Sequence, residues 1–466
     1  MSRSSDFAKN TVVLSIGRFV PKLIAIATLP ILTKYLTKTD YGTYDLITTL
    51  IMLVIPIATL QIQSAAFRFL IDARGDRGAC ASIITNILTV TLPIAALASV
   101  VLTFFFPQHS VAVRVCIALY FFADTVYLTL GQITRGLGNN KMYSIAAIIM
   151  SAIDLVCVLL FVWYLKRELL GVLIGLAAAN TAAALFLFFR MGLRRYISPS
   201  TVSGARIREL LAYSWPMVPN NLSTWALKLS DRLVITGFLG LEANAVYAVA
   251  NKLPNILNMA QSVMVMAWHE SASIAVKDKD ARQYYSKMLR RSFDLLFSCT
   301  ALLIAATPIL FRLLIRGDYD EAYYQMPVLI LGTFFFVMSS FFGGIYIAHK
   351  KTVNVGISTV VAAIINLAID FALVNVIGIW AGSISTLAAY VVLYYYRMID
   401  SHRFQPVDCD LKRQFIQIAI LAGMLYLCFL RNRWLDLVNI ALGVAVFILF
   451  NRKLIKKVLS KALRRR

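Results

Sequence analysis

Apolar runs of about 18 to 27 residues, parted by short polar stretches, recur along this chain. Roughly 20 apolar residues in a helix cross a hydrocarbon core of about 30 Å. The runs are continuous rather than alternating, and only closed barrels cross lipid as sheets. The pattern predicts an all-α polytopic membrane protein. Fourteen spans are placed, the first seven near 12–34, 42–63, 80–106, 112–134, 143–165, 169–190 and 213–239. The others fall near 245–268, 288–316, 324–346, 354–377, 379–397, 413–430 and 434–451, the last two being the shortest.

The polar stretch 191–212 predicts a linker between two six-helix lobes, 1–190 and 213–400, followed by a helix pair at 401–451 and a basic tail at 452–466. The lobes read as copies. TKYLTKTDYGTYDL (33–46) aligns with TGFLGLEANAVYAV (236–249), setting Thr33 on Thr236 and Tyr44 on Tyr247. LLGVLIGLAAA (169–179) aligns with WAGSISTLAAY (380–390) at a nearly equal offset, setting Gly171 on Gly382. Internal repeats are a common transporter plan, with the substrate site at the repeat interface.

Of the 466 residues, 59% are hydrophobic and 15% charged, well below the roughly one quarter usual in soluble domains. The net charge of +23 invites a nucleic-acid reading, but most of the 46 Lys and Arg lie in alternate loops, among them Arg190, Lys287, Arg290, Arg291, Arg397, Lys412 and Arg413. Such asymmetry places both termini in the cytosol. No small-residue cleavage site follows MSRSSDFAKN, so no signal peptide is expected to be removed. Six scattered cysteines and four isolated histidines predict neither a disulfide framework nor a metal site. No nucleotide loop or catalytic triad is present, so no cofactor and no enzyme activity are expected.

Charges inside spans carry the chemistry. Ionisable side chains at membrane depth usually face a bundle interior or a watery cavity. Arg18 and Lys22 lie one helical turn apart in span 1, which Pro21 and Pro30 mark as irregular. Lys228, Asp231 and Arg232 share the middle of span 7, whose cytosolic half Pro216 and Pro219 should kink. Lys252 follows in span 8. These five cations predict an anion site, with Asp231 as a charge partner or coupling group. Asn220, Asn221, Asn251, Asn255 and Gln61 are candidate sugar contacts, although such asparagines also serve as interhelical glue. Asp124, Asp154 and Asp370 are further candidates for ion coupling or for silent pairing with a cation.

The hinge LTKYLTKTDYGTYDL, the segment QSAAFRFL, their counterpart SDRLVITGFLGLEANAVYAVANKL and the late pattern IINLAIDFALVNVIGIWAGSISTLAA carry a family resemblance. The chain resembles the polysaccharide-transport (O-antigen flippase) branch of the multidrug/oligosaccharidyl-lipid/polysaccharide exporter superfamily. It departs at Ala243–Ala245, where the hinge usually carries glycine before tyrosine. The resemblance implies a V-shaped pair of bundles around a cavity lined by helices 1, 2, 7 and 8. It also implies undecaprenyl-diphosphate-linked oligosaccharide as cargo, flipped to the outer leaflet of a bacterial inner membrane by alternating access. Arg18, Lys22, Lys228, Arg232 and Lys252 would then hold the diphosphate through charge-assisted hydrogen bonds.

A lipid II flippase or an ion-coupled multidrug exporter of the same superfamily are the alternatives, with a membrane scaffold further off. Expected partners are the lipid-linked substrate, membrane lipids and, through the resemblance, a polysaccharide polymerase and chain-length regulator. A monomer and no nucleic acid are expected.

Overall fold

The computed structural model describes the backbone of residues 3–276 and 278–463. Side chains are described for residue 17 and from 19 onward, except at 260, 262–264, 266–267, 270, 277, 453–455 and 457–466. The described residues are helical throughout, and the chain divides into two compact units, Met1–Trp225 and Ala226–Arg466.

The first unit holds α1 (Arg3–Tyr35), α2 (Lys38–Thr59), α3 (Ile62–Asp72), α4 (Arg77–Thr103), α5 (Val111–Gly136), α6 (Asn140–Cys157), α7 (Glu168–Arg190), α8 (Gly204–Ser214) and the start of α9 (Met217–Leu239). Polar residues set several starts: Thr37, Asp76 and Ser110 accept hydrogen bonds from the backbone N–H of Asp40, Ala79 and Val113. Such caps satisfy amides that a helix's first turn leaves unpaired. Between α2 and α3, Leu60 and Gln61 both take left-handed backbone, with φ of 46° and 57°. Side chains disfavour that region, so this break stores strain. The core forms around α4, α5 and α7, with Ile84, Ile133 and Leu187 in one cluster and Ile47, Ile117 and Leu173 in another.

The second unit adds α10 (Leu241–Ala250), α11 (Pro254–Ala275), α12 (Ala281–Leu314), α13 (Asp320–Ala348), α14 (Thr352–Ile377), α15 (Trp380–Ser401), α16 (Leu411–Phe429) and α17 (Arg433–Leu463). Its central element is α13, buried along most of its length and packed by α15, α11 and α12. The late pair α16 and α17 packs on α12.

Among the described residues, ten helices are long and apolar enough to cross a membrane, including α16 and α17. Of the other four predicted spans, those on α9 and α15 are diluted by polar and charged residues, the eighth is divided between α10 and α11, and that on α1 lies partly outside the described side chains. Helix α1 continues through Pro21 and Pro30 as one element. The kink expected at Pro216 and Pro219 is instead a full break between α8 and α9. The eighth predicted span is interrupted at 251–253, where Pro254 opens α11. Proline suits the first turn of a helix, because its missing N–H has no intrahelical role there.

The linker is ordered. Thr85 Oγ1 donates to the Tyr196 carbonyl and accepts from Ser198 N–H, both at 3.0 Å. Fully buried Asn86 donates to the Thr201 carbonyl at 2.9 Å and accepts from Ser203 N–H at 2.8 Å. The linker's second half forms α8, which buries Leu210 in the core of the first unit.

Candidate functional site

The hinge register places one side of the site. Helix α1 ends at Tyr35 and α9 at Leu239, within one position of each other under the repeat alignment, and Tyr44 and Tyr247 follow on the next helix. Tyr247 is buried, and its hydroxyl donates to Asp231 Oδ2 at 2.5 Å. Thr386 Oγ1 donates to the same oxygen at 2.6 Å, and the Gly382 carbonyl lies 3.2 Å from the tyrosine hydroxyl. Gly382 and Thr386 stand one turn apart on α15, so they present a carbonyl and a hydroxyl on one face.

Glycine is required at 382 by close approach. A Cβ there would lie 2.9 Å from both Ile235 Cδ1 and Tyr247 Cε2. Gly171, its counterpart in the repeat, is equally confined: a Cβ would meet Phe161 Cβ at 3.0 Å.

Helix α14 supplies the other side. Asn366 and Asp370 occupy the i and i+4 positions of an otherwise apolar helix, and both are fully or almost fully buried. Ser385 Oγ donates to Asp370 Oδ1 at 2.6 Å and accepts from Asn366 Nδ2 at 3.1 Å. Ser230 Oγ lies 3.3 Å from Asn366 Oδ1. The Asp370 and Asp231 carboxyls lie close enough to interact electrostatically. Each aspartate is 1% exposed. Among the described residues, neither forms an ion pair, and Asp231 Oδ1 and Asp370 Oδ2 lack a hydrogen-bond partner.

Two adjacent buried carboxylates are unfavourable as a bare pair. Like charges about 4 Å apart repel by roughly 4 kcal/mol at an effective dielectric constant of 20. A proton or a cation relieves this. The donors gathered here are all hard oxygens: two carboxylates, the Thr386 hydroxyl, the Asn366 amide oxygen and the Gly382 carbonyl. Hard oxygens suit an alkali or alkaline-earth cation rather than a soft metal. Among the described residues there is no group of three or more His, Cys, Asp or Glu with metal-binding geometry. The arrangement thus offers hard oxygens to a positive charge of low valence.

A sequence model of the family described as "Polysaccharide biosynthesis protein" matches residues 7–269. The chain belongs to this family. Its fold is that of the superfamily suggested by the hinge and glycine patterns. A structure titled as the lipid II flippase MurJ in an inward closed conformation is similar with a TM-score of 0.72 and 14% identity, covering 96% of this chain and 100% of that one. An inward-facing multidrug-resistance MATE family transporter is similar at 0.68 and 14% identity, covering 89% and 99%. A MOP superfamily transporter from Pyrococcus furiosus reaches 0.58 at 15% identity, covering 84% and 95%. No curated protein matches the chain. The family membership, the fold and the ten apolar helices identify a multi-pass membrane protein.

The other residues singled out in this family member's sequence fall as follows. The side chain of Arg18 lies outside the described residues; Lys22 is exposed on α1. Lys228 is exposed, with Nζ 4.4 Å from the centre of the Phe336 ring, a favourable cation–π distance. Arg232 and Lys252 are half-buried. Several amides serve the backbone or each other: Asn221 donates to the Met217 carbonyl, Asn251 to the Tyr247 carbonyl and Asn258 to Asn255 Oδ1. Asn220 is exposed. Gln61 Oε1 accepts from Ser64 Oγ at 2.9 Å across the strained α2–α3 break. Asp124 and Asp154 are half-buried in the first unit, both within electrostatic reach of buried Tyr120. The Asp231–Asp370 cluster belongs to the second unit.

Sequence reading singled out Asp231 and Asp370 individually but missed Tyr247, Asn366, Ser385 and Thr386 as their partners. A signal existed: Tyr247 and Gly382 anchor the two repeat alignments, and Asn366 with Asp370 forms a polar i, i+4 pair in an apolar run.

Proposed function

We propose that this protein moves a lipid-linked oligosaccharide, carried on a polyprenyl diphosphate, from one membrane leaflet to the other by alternating access. The Asp231–Asp370 cluster is the site where a coupling cation, a proton or a sodium ion, enters and leaves. The observation that carries the reading is this buried acid pair, without an ion pair among the described residues, in a member of a polysaccharide biosynthesis family with a transporter fold.

In the mechanism, cation binding holds α9, α14 and α15 together through the shared aspartates, and its loss lets them separate. Lys228, Arg232 and Lys252 lie on α9 and just after α10, next in sequence to this cluster, and supply positive charge for the diphosphate. Arg18 and Lys22 on α1 supply more. Guanidinium and ammonium groups replace the hydration of phosphate oxygens through charge-assisted hydrogen bonds. The cargo is a surface-polysaccharide repeat unit of the O-antigen kind, and the membrane is the bacterial inner membrane with both termini cytosolic. A polymerase and a chain-length regulator are the expected downstream partners, and the working unit is a monomer.

Lipid II is the second reading for the cargo, favoured by the full-length fold match to a protein titled as a lipid II flippase. Deleting the gene in its native host and analysing both surface glycan and the polyprenyl-linked pool separates the two. Loss of surface glycan with a completed repeat unit trapped on the carrier supports the first reading. Accumulated lipid II supports the second, and an unchanged pool with unchanged glycan contradicts both.

A further inference from the structure

We infer that the second unit carries a separate binding site for an anionic phospholipid, in the basic cleft between α12, α16 and α17. A cavity of about 1110 Å³ lies there, lined by Lys287, Arg290, Arg291, Lys412, Arg413 and Arg452. A neighbouring pocket of about 420 Å³ shares Lys287, Arg290 and Arg413. The nearby acids are already engaged. Asp294 receives Arg413 Nη2 at 2.7 Å on both oxygens and Gln417 Nε2 at 3.0 Å. Asp410 caps α16 by accepting from Arg413 N–H at 3.1 Å. Asp408, on the wall of the smaller pocket, pairs with Arg282 at 2.5 Å, which holds its carboxyl below the usual carboxylate range.

That leaves five cations, Lys287, Arg290, Arg291, Lys412 and Arg452, with no ion pair among the described residues. Cations gathered from three helices around one cavity repel one another, and an anion with several oxygens relieves this. Phosphate fits, since arginine forks pair with it in bidentate fashion.

The same cavity identifies the rest of the molecule. Its wall also includes Ile416 and Leu449, 51% and 59% exposed, beside Leu295 and Phe450. The cations sit at the ends of the apolar stretches: Lys412 and Arg413 open the span of α16, and Arg452 closes that of α17. On α12, Lys287, Arg290 and Arg291 precede the apolar run that starts at Ser292. Charge at the end of a span beside an apolar wall is the setting of a lipid headgroup, and basic pockets between spans bind anionic lipids. A free phosphate ion needs no apolar wall. The phosphate therefore sits among the cations and an acyl chain runs along Ile416 and Leu449. This also gives the extra helix pair a task that does not depend on transport.

The test uses the purified full chain in detergent, titrated with fluorescent phosphatidylglycerol. It needs no flipping assay, so its outcome is independent of the transport reading. At about fivefold per cation, the variant Arg290→Gln/Arg291→Gln/Lys412→Gln binds about a hundredfold more weakly, with an unchanged melting temperature in phosphatidylcholine micelles. Should the triple variant misfold, Lys412→Gln alone, exposed in the first turn of α16, is read for a fivefold loss. Binding of phosphatidylglycerol within twofold of wild type in the variant that folds overturns the proposal. So does equal binding of phosphatidylcholine, which marks a merely apolar cleft. Displacement by inorganic phosphate at concentrations equal to those of the lipid overturns it in favour of a free-ion site.

Discussion

Replacing Gly382 by alanine probes the candidate coupling site without touching a charge. The new Cβ would lie 2.9 Å from Ile235 Cδ1, a flexible chain end, but also 2.9 Å from Cε2 and 3.1 Å from Cζ of the Tyr247 ring. That ring is only 2% exposed and has little room to move. Overpacking of this kind costs about 1–3 kcal/mol. Displacing the ring also lengthens the hydrogen bond to Asp231, and hydrogen bonds to charged groups contribute about 1.5–3 kcal/mol. Gly382→Ala should therefore destabilise the protein by roughly 2.5–6 kcal/mol, measured by reversible unfolding in mixed micelles. The decisive number is its coupling with Tyr247→Phe. Both changes remove the same hydrogen bond, so in the double variant that loss counts once. The double variant should fall short of the summed single effects by about 1.5–3 kcal/mol. Additivity within about 0.5 kcal/mol would refute the claim that Gly382 is a glycine so that Tyr247 can reach Asp231.

Binding of a cation stabilises the state that holds it, by about 2.7 kcal/mol at a hundred times its dissociation constant. Titrating sodium at fixed pH, and pH at fixed sodium, should therefore move the melting temperature of the wild type in at least one series and that of Asp231→Asn/Asp370→Asn in neither. Neutralising Lys228, Arg232 and Lys252 to glutamine should abolish transport of a diphosphate-linked cargo while leaving expression and melting temperature near wild type; normal surface glycan in a strain carrying this variant counts against their role. Asn86→Leu leaves the Thr201 carbonyl and Ser203 N–H without their buried partner. It should destabilise the first unit by about 2–4 kcal/mol and raise hydrogen exchange at 198–203, whereas unchanged exchange there would show that α8 alone orders the linker.

Hydrophobic periodicity made the all-helical class and most helix positions legible, because a membrane span must satisfy its own backbone hydrogen bonds and shows this as an unbroken apolar run. The ends were less legible. Prolines gave no sure boundary: Pro21 and Pro30 lie inside the single helix α1, whereas at Pro216, where a kink was expected, the chain ends α8 and starts α9. Arg397 was grouped with loop cations, but it is 6% exposed and donates to Ser358 and Thr359. Composition cannot distinguish a basic residue just past a helix end from one turned back into the core. For the candidate site, the sequence offered each aspartate alone, and pairing with a neighbouring cation was the simplest fate. Helical spacing put Lys228 and Arg232 within reach of Asp231, and that local geometry hid the distant partners on α10, α14 and α15. Proximity of residues so far apart in sequence follows only from packing, which in this unit rests on a glycine at 382.

The measurement that bears most directly on the account is leaflet exchange by the purified protein in proteoliposomes. The cargo is a fluorescent polyprenyl-diphosphate oligosaccharide, compared between wild type and Asp370→Asn under an imposed sodium or proton gradient. The account predicts that the wild type exposes the cargo on the opposite leaflet in response to one of the gradients, while the variant inserts normally and does not respond. Equal, gradient-independent exchange by both proteins, or none by the wild type with either gradient, would contradict it.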